Sequence, residues 1–385
     1  MSGPPLYAIF LIFLRLGTTA FGGPAMIPHM RKAFVENRRW ISDEDFSLGV
    51  AAAQCIPGAT AMQMAAYCGL RLRGVTGGAA AYLGFGLPAF VLMTALSAAY
   101  FTYGDLTRVK MVFTGLSAVI TALLAEAAVS FAQKYLRGLT DRLLALAAAL
   151  LFFFRGNPLY AVAGVCLAAT LLLRDVPALP SGGEGRKALK AGRGLYAGLG
   201  LAAGLAILGG LVCLLTRPDL FGLSVMMAKV DLFAFGGGYV SLPLMLSEVT
   251  SRGIMSERMF LDGVALGQLT PGPIVMTAAF VGFHMDRIAG AAVGTLAAFT
   301  PSFFLMALTA PHFSGLARSL FFRRALMGSL FSLTGLLAAT GGVFAQSVPW
   351  DLGTGLLALG AFIALRLNAG PAPVVAAGAL FSLFL

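Results

Sequence analysis

Arg15 and Lys229 are basic residues set inside long apolar runs, each six positions ahead of a Phe-Gly-Gly. A cation at mid-membrane costs at least about 2.5–3.5 kcal/mol on insertion scales, so it persists where it is paired or lines a cavity. Two fixed cations would make a positive site for an anion. By Coulomb attraction in a low-dielectric site they suit a dianion better than a monoanion. An ion pair with Glu126 or Asp231, or snorkelling to the interface, accounts for the same two residues structurally. Glu126 and Asp231 are also acids inside apolar runs. They read either as holders of a coupling proton or as counter-ions to Arg15 and Lys229.

A second pattern supplies donors without mobile charge. Gln54-Cys55-Ile56-Pro57-Gly58 is matched 214 positions on by Gln268-Leu269-Thr270-Pro271-Gly272. A Pro-Gly pair removes a backbone donor, relaxes φ and breaks a helix. In lipid, broken backbone survives where it is buried in protein or lines a wet cavity. Paired breaks in matching segments of two halves point to a transporter's binding site. Half-helix N-termini after Pro57-Gly58 and Pro271-Gly272 would present free amides to an anion. Gln54 and Gln268 can donate a side-chain N–H there, or hydrogen-bond between helices. Phe21-Gly22-Gly23 and Phe235-Gly236-Gly237 would let the backbone unwind or a neighbouring helix approach. A kinked structural helix is the plain alternative for one such break, and the repetition weighs against it.

These residues need a membrane scaffold. The 385 residues are 58% hydrophobic and 11% charged, against about 25% charged in soluble domains. The net charge of +11 reads as basic loops that set topology and touch anionic head groups of the lipid bilayer, not as nucleic-acid binding. Met1-Ser2-Gly3-Pro4-Pro5 shows no basic n-region, so no cleaved signal is expected. Cys55, Cys68, Cys166 and Cys213 are scattered and read as small packed hydrophobes. His29, His284 and His312 form no metal-ligand spacing, and Gly236-Gly237-Gly238 lies within a span. No cofactor or metal is expected.

Thirteen spans are expected, at about 6–28, 46–69, 75–100, 111–133, 143–154, 157–173, 195–216, 223–245, 261–282, 289–310, 325–346, 353–366 and 371–385. Residues 1–173 form one repeat, 174–194 a linker, 195–216 a connecting span and 217–385 a second repeat. The register holds at rare residues: Ser42 meets Ser256, Phe46 meets Phe260, Gly49 meets Gly263 and Met62 meets Met276. One residue is then lost, and Pro88 meets Pro301. The expected fold is all-α and polytopic: two homologous six-span halves, turned over by the odd connecting span into an inverted repeat. With the N-terminus inside, inner loops hold sixteen Lys and Arg, Arg71 and Arg73 among them, and outer loops nine. The 29–45 loop then falls outside with four positive charges.

The twin Phe-Gly-Gly motifs, the twin Gln-x-x-Pro-Gly motifs and the basic residue before each Phe-Gly-Gly together resemble the chromate ion transporter family, in its long two-domain form. The resemblance covers nearly the whole chain. It implies a bacterial or archaeal inner-membrane protein that expels chromate, a dianion resembling sulfate, by a secondary, ion-gradient-driven mechanism, and so confers resistance. The first break reads Pro57-Gly58-Ala59 where the second reads Pro271-Gly272-Pro273, so the first is less rigid. Another anion such as sulfate is the alternative within transport. A membrane enzyme or lipid-handling protein is the alternative outside it, and no catalytic constellation supports it. Assembly stays open, a homodimer included.

Overall fold

The computed structural model of the protein describes residues 4–19, 26–104, 106–154, 156–179, 192–235 and 238–384. Among them the regular structure is helical. The first half holds α1 (Leu6–Thr18), α2 (Met26–Arg31) running into a π-helical segment Lys32–Asn37, α3 (Asp43–Cys55), α4 (Thr60–Tyr103), α5 (Thr107–Tyr135), α6 (Leu139–Phe153) and α7 (Pro158–Leu172). Next comes α8 (Arg193–Thr216). The second half holds α9 (Pro218–Phe233), α10 (Gly238–Ser251), α11 (Glu257–Leu269), α12 (Thr277–Thr309), the short α13 (Phe313–Arg318), α14 (Leu320–Ser347), α15 (Leu352–Arg366) and α16 (Pro371–Phe381).

The repeat is visible in how helices start and stop. Ser42 caps α3 by accepting from the Asp45 amide, and Ser256 caps α11 by accepting from the Met259 amide, both at 3.2 Å. Both helices are 13 residues long. Both end where a proline two positions ahead forces the preceding residue out of the helical region. Ile56 is extended at φ −97, ψ 142, and Thr270 at φ −87, ψ 142.

A 13-residue helix is about 20 Å long, too short for a hydrocarbon core of about 30 Å. The chain turns back at the break. A Cβ built on Gly49 of α3 would lie 2.3 Å from the Tyr67 ring of α4, and one on Gly263 of α11 would lie 2.4 Å from the Phe280 ring of α12. Segments 46–69 and 261–282, expected as single crossings, are therefore helical hairpins with the Pro-Gly at the tip.

A second reversal follows each hairpin. Arg73 and Gly74 leave helical geometry in α4, with Gly74 at φ 62, and Asp286 and Arg287 do so in α12, with Arg287 at φ 44. Across these bends a Cβ on Gly69 would sit 2.1 Å from the Gly77 carbonyl oxygen, and one on Gly282 would sit 2.1 Å from that of Gly290. In a straight helix these pairs would stand about 12 Å apart. Each of α4 and α12 is thus a short inner arm, 60–72 or 277–285, folded against a long arm, 75–103 or 288–309.

At the expected spans 6–28 and 223–245, α1 lies against the π-helical segment and α9 against α10. The rings of Phe13 in α1 and Phe34 in the π-helical segment stack at 4.9 Å. Lys229 of α9 pairs with Glu248 of α10 at 2.6 Å. The thirteen full-length spans are not what the helices form. Among the described residues five helical stretches are long and apolar enough to cross a membrane: 60–103, 110–135, 193–216, 274–318 and 320–347.

The halves interlock. The α14 helix packs between α6 and α7 of the first half, and α5 packs on α15 and α16 of the second. The approach is close: Gly335 backs onto the Ala145 carbonyl, and Gly115 onto the Ser382 side chain. The long arms of α4 and α12 pack on each other, and α8 lies against α4 and α9 with most of its surface exposed.

Hairpins also change which loops share a face. Arg71 of α4 makes an ion pair with Asp45 of α3 at 2.6 Å. Residues 43–45 and 71–73 therefore lie on one face, and the expected placement of the 29–45 loop opposite Arg71 and Arg73 is corrected. In a cysteine-free background, Arg38→Cys and Arg73→Cys are expected to react with an impermeant maleimide from the same side. Labelling from opposite sides would restore the crossing.

Candidate functional site

The hairpin tips converge inside the protein. At the first tip, Gly58 takes φ 113, a left-handed value that an L side chain resists. Its N–H donates to the Ala234 carbonyl at 2.9 Å, and Ala234 is where α9 ends in the other half. The fully buried Gln63 donates its side-chain amide to the Ile56 carbonyl at 3.4 Å and, more closely, to that of Pro57. That closes the tip from behind, on carbonyls the broken helix would otherwise leave unpaired.

At the second tip, Gly272 takes φ 130. Pro273 follows, and a short 3-10 turn, Ile274–Met276, leads into α12. A Cβ built on Gly238, the first residue of α10, would lie 3.7 Å from the Ile274 amide nitrogen. The α9–α10 break thus sits between the two tips, touching the first through Ala234 and the second through Gly238.

The contacts between halves are reciprocal. A Cβ on Gly58 would sit 2.4 Å from Ser302 Cβ, just after Pro301 of α12. One on Gly272 would sit 2.6 Å from Ala89 Cβ, just after Pro88 of α4. Each tip glycine rests on the residue after the proline in the other half's long arm.

Around the first tip lies a buried polar cluster. The Ser302 N–H donates to Asp231 Oδ2 at 2.7 Å. Asp231 is 1% exposed, and its Oδ1 has no partner among the described residues. That oxygen lies 3.0 Å from where a Gly58 Cβ would be. Tyr82 of α4 donates its hydroxyl to the Phe299 carbonyl at 2.8 Å and lies 3.0 Å from Ser302 Oγ. In the repeat register Asp231, Ser302 and Tyr82 correspond to Gly17, Ala89 and Thr295.

The inner arms begin at the tips, so their first amides lack helical acceptors. The N–H groups of Thr60, Ala61 and Met62, and those of Ile274 and Val275, have no backbone acceptor among the described residues. Gln268, in the last turn of α11, is 7% exposed and its Nε2 has no partner among the described residues. The tips thus combine oriented N–H donors with one carboxyl. Beside them, between α4 and α12 and partly under α8, lies an apolar cavity of about 440 Å³, lined in repeat pairs such as Met62 with Met276 and Tyr82 with Thr295.

The other expected residues fall elsewhere. Arg15 stands on the exposed face of α1 with no side-chain partner among the described residues. Lys229 is bound by Glu248, which also holds Arg252 at 3.0 Å. Neither Glu126 nor Asp231 is the counter-ion of either cation. Glu126 accepts from the Ser130 hydroxyl and lies 3.9 Å from Arg366. Gln54 is exposed, unlike Gln268. Phe235 is half-buried beside Ala234, while Phe21, Gly22, Gly23, Gly236 and Gly237 lie outside the described residues. Gln63, Tyr82, Glu248 and Ser302 were not singled out in the sequence. Ser302 carried one signal, its place after Pro301, which matches Pro88.

Gly58→Ala and Gly272→Ala are each expected to lower thermal stability, by about 1–3 kcal/mol for the backbone conformation alone. Adding Ala89→Gly should partly restore Gly272→Ala, because it removes the facing methyl. A full restoration would mean that sterics, not φ, fixes the tip.

The sequence model of the chromate transporter family matches residues 7–171 and again 221–383. An uncharacterized transporter of Methanocaldococcus jannaschii is 36% identical over 94% of this chain and 90% of its own length. The chromate transport protein of Cupriavidus metallidurans is 31% identical over 97% of this chain and 91% of its own. A probable chromate transport protein of Synechococcus elongatus is 30% identical over 91% and 87%. No solved structure matches. With the family match on both halves and these relatives along most of its length, the chain belongs to the chromate transporter family.

Proposed function

We propose that the protein is a secondary active transporter that exports chromate across the inner membrane and so confers chromate resistance. The observation that carries this is the convergence of the two Pro-Gly tips, with their unpaired amides, on the α9–α10 break. Half-helix N-termini meeting inside a membrane bundle are the arrangement that takes an anionic group. The membrane potential suits the direction. Moving one charge is worth about 2.3 kcal/mol per 100 mV, so a dianion leaves an electronegative interior more readily than it enters. The reading is of transport, not of catalysis.

The proposed architecture is an inverted repeat, residues 1–173 and 217–385, joined by the linker 174–194 and the connecting span 195–216. Its support is parity and reciprocity. Folding the hairpins back removes crossings in pairs, so each half still returns to the face it left. The odd α8 then turns the second half over. Reciprocal contacts such as Gly58 with Ser302 and Gly272 with Ala89 are what a two-fold relation between halves produces. On this topology fifteen described Lys and Arg lie on the face of Arg38 and Arg73, and six on the other. The positive-inside rule favours the Arg38 face as the cytoplasmic one. A cysteine at Arg252 is expected to label from the face opposite Arg38→Cys.

Within the site, tip amides with Gln268 bind the oxyanion, and Asp231 holds the coupling ion, a proton. Arg15, with no side-chain partner among the described residues, adds positive potential for an incoming dianion, and Lys229 joins it when its pair with Glu248 opens. A homodimer is compatible with this arrangement.

Proteoliposomes holding the purified protein are expected to accumulate labelled chromate without ATP when an ion gradient is imposed. No uptake would sink the reading, and uptake of sulfate in preference to chromate would change the substrate. Lys229→Gln, Glu248→Gln and the double variant separate binding from structure. A binding role for Lys229 predicts loss of uptake that persists in the double variant at normal membrane levels. Recovery in the double would make the pair structural, since no buried charge is then left alone.

A further inference from the structure

The two breaks share a backbone and differ in chemistry. At the second, among the described residues, the Gln268 Nε2 has no partner and the amides of Ile274 and Val275 have no backbone acceptor, and all three are donors. Gln268 is 7% exposed, so its amide is shielded from bulk water. The facing residue across the halves is Ala89, and the position matching Asp231 is Gly17. At the first break, the Gly58 N–H is already used by the Ala234 carbonyl. Among the described residues there, the Thr60, Ala61 and Met62 amides have no backbone acceptor, and beside them stand two unpartnered acceptors, Gln63 Oε1 and the carboxyl oxygen Asp231 Oδ1, the latter 3.0 Å from the Gly58 Cβ position. Gln54, the counterpart of Gln268, is exposed.

A dianion is stabilised by N–H donors and repelled by a carboxylate. A proton needs the opposite: a free carboxylate oxygen. We infer that the two breaks divide the work, the second binding the oxyanion through Gln268 and the Ile274 and Val275 amides, the first binding the coupling proton on Asp231. The inference rests on the transport reading and deepens it. Asp231 takes one proton at Oδ1 and its charge goes from −1 to 0, while the Ser302 N–H holds Oδ2 in place. The titratable group facing it from α4 is Tyr82, through Ser302. On its own helix Lys229 is engaged by Glu248 of α10 and offers it no free charge. Among the described residues of the two breaks Asp231 is the one carboxyl, and the inference assigns one such proton to each chain per cycle.

The position of Asp231 also links the two events mechanically. Its Oδ1 faces the tip of the first hairpin, and Ala234, three residues on, accepts from that tip. Four residues past Ala234, Gly238 faces the Ile274 amide of the second tip. A change of charge at Asp231 therefore acts close to Ala234 and Gly238, which touch the first and the second tip.

The test uses the full chain in proteoliposomes, with radiolabelled chromate binding and a trapped pH dye as separate readouts. Asp231→Asn keeps the side-chain shape and an oxygen for the Ser302 N–H. It is expected to bind chromate within about threefold of the parent protein and to keep chromate–chromate exchange, while chromate-driven proton movement is lost. Gln268→Glu replaces the donor by an acceptor of the same shape. It is expected to weaken chromate binding about 10–100-fold, the worth of one hydrogen bond to a charged group. Asp231→Ser and Gln268→Met serve in the same two readouts if either first variant fails to reach the membrane. Loss of binding in the Asp231 variants, or unchanged binding in the Gln268 variants, overturns the division of labour while chromate transport by the parent protein stands. Absence of chromate binding by the parent protein overturns the transport reading and the inference with it.

Discussion

The structure depends on one contact made twice: a left-handed glycine at a hairpin tip resting on the residue that follows a proline in the other half. Gly58 lies on Ser302 and Gly272 on Ala89, each closer than a Cβ would allow. The glycine supplies the φ that lets the chain reverse, and its missing side chain lets the tip reach the partner helix. The proline prevents a regular ladder at the contact, which leaves the Ser302 N–H for Asp231. Because the contact is reciprocal, it fixes both tips, the long arms they rest on and the α9–α10 break between them. The unpaired amides are a consequence. A hairpin tip buried in protein has no helical acceptor for its first N–H groups, and a membrane offers no water to replace one.

Charge is distributed unevenly around this frame. Most ionised groups lie at the helix ends, as in Arg71 with Asp45 or Arg217 with Asp286. Inside, the duplicated halves have diverged. Lys229 faces Glu248, whereas the residue matching Glu248 in the first half is Phe34, and Arg15 has no acid there. Asp231 has Gly17 as its counterpart. The α8 helix covers one side of the pair and not the other, packing on α4 and α9. A duplicated scaffold thus carries one set of acid groups, and the backbone donors remain common to both halves.

Much of this was legible in the sequence. The register was carried by residues with strong backbone consequences: the twin Pro-Gly pairs, the Ser42 and Ser256 caps, and Pro88 with Pro301. All of these recur in the structure at matching positions. Direction was not legible. An apolar run of about 24 residues with a break in the middle has the composition of a crossing and of a hairpin alike. What separates them is Gly49 against Tyr67, a tertiary contact. The bend at Gly74 had a glycine to mark it, but its counterpart is Arg287, at φ 44, which no propensity would place there. The partner of Lys229 was missed for the same reason. Glu248 lay past the expected end of a straight span, and folding back brings it alongside. Asp231 was picked out by its rarity in an apolar run, whereas Ser302 and Tyr82 are common residues whose role is set by what they face.

The central claim is that the oxyanion sits between the two hairpin tips and the α9–α10 break. The most direct measurement is the position of chromium in crystals of the protein grown with chromate, located by anomalous scattering at the chromium absorption edge. The account predicts one strong peak inside the bundle, among residues 270–275, 56–60, 234 and 238, nearer the second tip than the first. A peak beside Arg15 on the outer face of α1, or within the apolar cavity between α4 and α12 with none at the tips, would contradict it.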